Sequence, residues 1–257
     1  GAAWTLTEPA RLLVEPLIGL FSRTAPAAPT LLRLVWTLTV MGVVGGALVH
    51  LELAEAVTGK GPGVAASLAF GVRRAPSLIA APLHPLGIVL MLGLVSAVLG
   101  KATVLVALVL GLVSTVLLID MVASWPLIPA AVAAESETTV EAIGRCFSYV
   151  NRRPLTLTAA VAAGWILGAV GLIAFELFLR TAFRMGEWGV GLGLPASGYT
   201  GLRWESGPSP WVALMGLAWE SWAFAFFWAA AARTYLLLRQ DLDDVPAWGS
   251  AAAAARR

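Results

Sequence analysis

Charge is what this chain has least of. Charged residues make up 12% of its 257 residues and hydrophobic residues 59%, whereas soluble domains hold about 25% charged and about 45–50% apolar residues. The mean hydropathy is +0.83, and several apolar runs exceed the ~18 residues that a bilayer crossing needs, so a water-soluble core is excluded. The single cysteine, Cys146, rules out an internal disulfide and a cysteine-based zinc cage. His50 and His84 are the only histidines and have no partner at ligand spacing, so no metal and no cofactor is expected. A net charge of +2, with no basic run interleaved with aromatics, gives no footprint for nucleic acid. Gly59-Lys60-Gly61-Pro62-Gly63 lacks the spacing and hydroxyl of a phosphate loop, and Gly189 to Gly193 follows no strand. No Ser/His/Asp grouping can be assembled, so the chain is not expected to be an enzyme. The first residues show no basic region leading into an apolar core, and no cleavable signal is expected.

What is abundant is long apolar sequence. The chain reads as all-α: a polytopic transmembrane helix bundle of about five crossings, six being possible, with amphipathic elbow helices at the interface. Residues 1–30 form an N-terminal interfacial segment, because the apolar stretch there is short and contains Pro9 and Pro16. Residues 31–99 form a first helix–elbow–helix unit and 102–183 a second. An extramembrane loop at 184–210, a last crossing at 211–240 and a tail at 241–257 complete the chain, and the polar end from Arg239 to Pro246 is expected to be a solvated tail. The apolar run after residue 102 is too long for one straight crossing, and Trp125-Pro126 and Pro129 predict a break before Glu135.

The most charged stretch of the chain's middle lies at 135–154. A helix there places Val140, Ile143, Cys146, Phe147 and Val150 on one face. Thr138 and Glu141 form a capping box, Glu141 and Arg145 an i,i+4 pair, and Arg152-Arg153 suit the helix C-terminus before Pro154. A similar layout ends in Arg73-Arg74 before Pro76, which predicts a parallel repeat of two elbows. Five crossings put both elbows and the C-terminus on one face. That face carries ten Lys and Arg residues against seven on the other, which places it inside.

Ionisable groups at membrane depth are the candidate polar site: Asp120, Glu176, Arg180, Glu220 and Arg33. Of these, Arg33, Glu176, Arg180 and Glu220 fall towards the face opposite the elbows, where they could form one buried network around a polar substrate or proton site. The favoured reading is structural: charge pairs that fix helix register, or side chains that snorkel to headgroups, with Glu176–Arg180 as a local pair. Gly42 and Gly46, and then Gly164, Gly168 and Gly171, are expected to let helices approach closely. Trp125, Trp188, Trp204 and Trp211 suit an interfacial aromatic belt.

Three segments carry a likeness: Trp125-Pro126 leading to Glu135; Ala142, Arg145, Ser148, Tyr149 and Val150 before Arg153-Pro154; and the closing run from Phe227 to Arg239. Together with Ala80 to Leu86 they resemble a group of bacterial multi-pass inner-membrane proteins of unknown function. The elbow is also similar to one in the membrane domain fused to some glycerophosphodiester phosphodiesterases. The resemblance implies a bacterial inner-membrane location and no activity. The expected function is a non-catalytic membrane subunit that packs with membrane lipids and other membrane protein subunits. A small permease or lipid-handling protein using Asp120 and Glu220 is the alternative.

Overall fold

The structure is a computed structural model that describes residues 6–21, 26–100, 103–135, 138–192 and 210–243. Among them every regular element is helical, as expected for apolar sequence that must satisfy its backbone hydrogen bonds internally. Helix α1 is Glu8–Phe21. Helix α2, Ala27–Val40, runs through a π-helical segment, Met41–Gly45, into α3, Gly46–Thr58. Helix α4 is Val64–Leu99 and α5 is Val104–Ser124. A 3-10 turn, Trp125–Leu127, leads to α6, Ile128–Glu135. The elbow helix α7 is Thr139–Arg152, α8 is Pro154–Gly191 and α9 is Pro210–Asp243.

Four helical runs are long and apolar enough to cross a membrane: Ala27–Thr58, Val64–Leu99, Val104–Glu135 and Pro154–Gly186. Helix α9 is of similar length and carries Glu220, Arg233 and Arg239. The sequence-based count of about five is therefore close. The loop expected at 184–210 begins later, because α8 continues to Gly191, and most of that loop lies outside the described residues.

The chain divides into two compact units. The larger comprises Ala10–Val161 and Trp228–Arg257, and the smaller Gly1–Pro9 and Ala162–Phe227. In the smaller unit Leu6, Leu172 and Ala223 are buried together, with Trp219, Trp222 and Phe226 against them. Gly168 lies under the Phe226 ring and Leu6, and Gly171 under the Trp222 ring, while Gly164 is half-buried.

In the larger unit the π-helical segment is where helices approach closest. A side chain on Gly42 would meet Ile79 and Leu78 of α4, and one on Gly46 would strike Leu78. Between them Gly45 faces Trp228, whose indole lies 2.5 Å from where a Cβ would be. Trp228 in turn meets Trp125 edge-on, with ring centroids 5.4 Å apart. Trp125 is therefore a core residue, 4% exposed, and not part of an interfacial belt. The 3-10 turn that brings it there is the break expected from Trp125-Pro126. The short helix after it is packed inside the protein: Ile128, Ala130, Ala131 and Val132 are fully buried.

The first elbow departs from expectation. Helix α4 passes through Arg73-Arg74 and Pro76 without a break. A proline inside a helix removes one hydrogen bond to the carbonyl four residues back and keeps a helical φ. Helix α3 and the π-helical segment pack on α4 just beyond it, at Leu78 and Ala81, and hold the helix together. The second elbow is a separate helix with the expected capping box at Thr138 and Glu141. Its buried residues are Ala142, Cys146, Tyr149 and Val150, whereas Val140 is exposed, so the buried face is turned from the one expected. That face rests on α4, α5 and α6, where lipid had been expected.

Close packing at glycine gives a direct test. A Cβ on Gly71 would collide with the backbone oxygen of Val43, whereas one on Gly93 would meet nothing within 4 Å. Gly71→Ala is expected to destabilise the protein by about 1–3 kcal/mol, and Gly93→Ala to change stability by no more than about 1 kcal/mol in either direction. Denaturant unfolding in mild detergent reads both.

Candidate functional site

The most deeply buried ionic cluster among the described residues is built around Glu135. Its position at the last residue of α6 is unfavourable in itself, because a carboxylate at a helix C-terminus faces the negative end of the dipole. Its side chain is only 9% exposed, and such burial needs compensating partners. They come from two other helices. The Arg239 side chain, 6% exposed, brings Nε to 3.2 Å from Oε1. Tyr235, one turn earlier on the same face of α9, donates its hydroxyl proton to Oε1 at 2.8 Å. Arg145 of α7 forms an ion pair with Oε2 from the more open side.

Aromatic rings wall this cluster. Tyr149 lies one turn from Arg145 on α7, and its ring centroid is 5.8 Å from that of Tyr235. Cys146 beside them is fully buried. Two further pairs within the larger unit hold the end of α9: Arg153 to Asp241 at 3.2 Å, and Arg233 to Glu52 of α3 at 2.5 Å. The end of α9 thus meets α3, α6 and the start of α8 through separate carboxylates.

The charged residues named as a candidate polar site lie elsewhere. Arg33 is matched with Glu15 of α1 at 3.6 Å, and both side chains are more than half exposed. Glu176 and Arg180 form the local i,i+4 pair. Glu220 is exposed. Asp120 is half-buried and accepts a hydrogen bond from the Asn151 amide at 3.2 Å, which links α5 to the end of α7. Of the elbow arginines, Arg73 and Arg152 are exposed, Arg74 is half-buried, and Arg153 holds Asp241. Arg239, expected in a solvated tail, is instead in the core. Its signal was the four-residue spacing from Tyr235, which puts a hydroxyl and a guanidinium on one face of a helix.

Three hydrogen-bond or ion-pair donors occupy the Glu135 carboxylate, so the arrangement holds helices together. A buried acid with two guanidiniums and a phenol is a device for fixing register. Comparison of the chain with protein-family models, with curated proteins and with solved structures gives no match in any of the three. The cluster is formed by the segments quoted above for their likeness: the end of the run to Glu135, the Arg145 helix, and the closing run to Arg239.

Removing one member of a buried ion pair strands the others, at a cost of about 3–5 kcal/mol. Glu135→Gln is expected to lose that much, and Tyr235→Phe about 1.5–3 kcal/mol. Their combination should fall short of the sum by more than about 0.5 kcal/mol, because both act on one carboxylate. A double-mutant cycle by reversible unfolding in detergent would show this, and additive losses would contradict it.

The cap of α7 predicts a pH dependence. The Thr138 hydroxyl and then its backbone N–H bind the Glu141 carboxylate and hold its pKa below the usual 4.5. A depressed carboxyl stabilises the fold above its unfolded pKa, and that stabilisation disappears as pH falls through the folded value. The difference in melting temperature between the wild type and Glu141→Gln is expected to be constant near neutrality. It should close as the pH drops below the ordinary glutamate range.

Proposed function

We propose that the chain is a non-catalytic integral membrane subunit or scaffold that packs with lipid and with other membrane proteins. The observation that carries this reading is the division of its surface. The charged groups in its core are engaged by one another, and its long helices turn apolar side chains outward. Along α5, Val104, Leu105, Leu108, Leu112, Val116 and Ile119 are all exposed, and α8 exposes Leu155, Leu167, Val170, Leu177 and Phe178. Contiguous apolar surface on this scale marks contact with lipid or with another protein.

The proposed setting is a bacterial inner membrane, with the elbows and the C-terminus on the cytoplasmic side, supported by the excess of Lys and Arg on that face. Kinship with the multi-pass group and with the phosphodiesterase-linked membrane domain belongs to the same proposal and rests on the quoted motifs. A permease working through Asp120 and Glu220 has less support, because one is bonded to Asn151 and the other is exposed.

Expressed in bacteria, the chain is expected to stay in the membrane pellet through an alkaline carbonate wash. Purified in mild detergent, it should bring down another membrane protein in fixed ratio. A protein that is released by carbonate, or that purifies alone and catalyses ion or solute flux in liposomes, would sink this reading.

A further inference from the structure

Helix α4 carries an apolar groove on the side opposite its buried Leu78, Leu86 and Val89. Ala80, Leu83, His84, Gly87, Ile88 and Met91 line about 500 Å³ of open space. The cause is local. Gly87 has no side chain, and nothing lies within 4 Å of where one would start. Leu83, Ile88 and Met91 stand up as walls around it. His84 is folded against its own helix, with Nδ1 2.7 Å from the Ala80 carbonyl oxygen, so its ring lies along the groove.

The groove has a cationic end. At 3.6 residues per turn, Arg73, Ala80, His84, Gly87 and Met91 fall on one stripe of α4. Arg73 is exposed and Arg74 half-buried, and neither takes part in any ion pair of the described residues. The first turn of α7 lies alongside, where the Thr139 hydroxyl reaches the Ser77 carbonyl at 3.5 Å. The acid of that turn, Glu141, is already held by Thr138. Depth fits as well. From the hairpin turn after Leu99 back to Ala80 the helix covers roughly 30 Å, the thickness of the hydrocarbon core, and the arginines lie about 10 Å further on, at headgroup level.

We propose that this groove and the Arg73-Arg74 pair seat an anionic phospholipid, with one acyl chain against Gly87 and the phosphate on the guanidiniums. A protein helix would fill the groove equally well, but it would answer the two arginines only if it carried carboxylates at the same depth, whereas every anionic phospholipid carries its charge there. A lipid phosphate meets both demands, since guanidinium binds phosphate oxygens bidentately. The inference deepens the scaffold reading and rests on its membrane location.

The test is native mass spectrometry of the full chain, purified in mild detergent and given equal amounts of phosphatidylglycerol and phosphatidylcholine with identical acyl chains. Wild type should retain phosphatidylglycerol with a preference on the order of ten-fold, from two basic side chains near the headgroup. R73Q/R74Q should abolish the preference, R73K/R74K should keep most of it, and G87L should reduce retention of both lipids. Helix content and elution volume check that each variant is folded. Equal retention of the two lipids by wild type would overturn the proposal, as would a preference that survives R73Q/R74Q. Displacement of the lipid by millimolar glycerol phosphate would show that a free phosphate compound is the ligand. A protein that co-purifies with wild type and leaves on G87L would replace lipid as the occupant. Release of the chain by carbonate would instead overturn the membrane reading itself.

Discussion

A buried carboxylate at the wrong end of a helix is the constraint on which the larger unit depends. Glu135 opposes the dipole of its own helix and is almost out of solvent, so its charge must be answered by other elements. Arg145 answers from the elbow, and Tyr235 and Arg239 answer from the far end of the sequence. Each donor fixes a helix in rotation and in height, because a shift of one residue would carry the group to another face. The apolar contacts nearby, Trp228 against Gly45 and Trp125, are compatible with that register and with few others.

The class of fold was plain from the sequence, because backbone satisfaction in lipid leaves few options and apolar runs of this length encode helices directly. Two local devices were equally readable: the Trp125-Pro126 break and the Thr138–Glu141 cap, both set by neighbours in the chain. The errors arose where tertiary contacts decide. Pro76 suggested an end to the first elbow, but the packing of Leu78 and Ala81 carries the helix through. Arg239 looked like a tail residue, because nothing within a turn shows that Glu135 is waiting for it. Arg33 and Glu220 were judged by depth in a helix, and depth does not tell which way a side chain faces.

The arrangement inverts the usual soluble pattern in one respect only. One small charged cluster lies inside, at the junction of α6, α7 and α9, although most charged side chains of the described residues are exposed, and large apolar surfaces lie outside on α5 and α8. In water this would be unstable. In a bilayer the outside is matched by solvent, and the inside is stabilised by hydrogen bonds that lipid cannot compete for. The elbow helix buries its face on α4, α5 and α6 and not on lipid.

The hundred residues between Glu135 and Tyr235 also separate them in time. At ribosomal rates of about 5–20 residues per second, the acid is made some 5–20 s before the phenol and the second guanidinium that complete its shell. During that interval Arg145 is the neighbour at hand, only ten residues on. A chain cut short before Tyr235 would have Arg145 alone of these three donors beside Glu135.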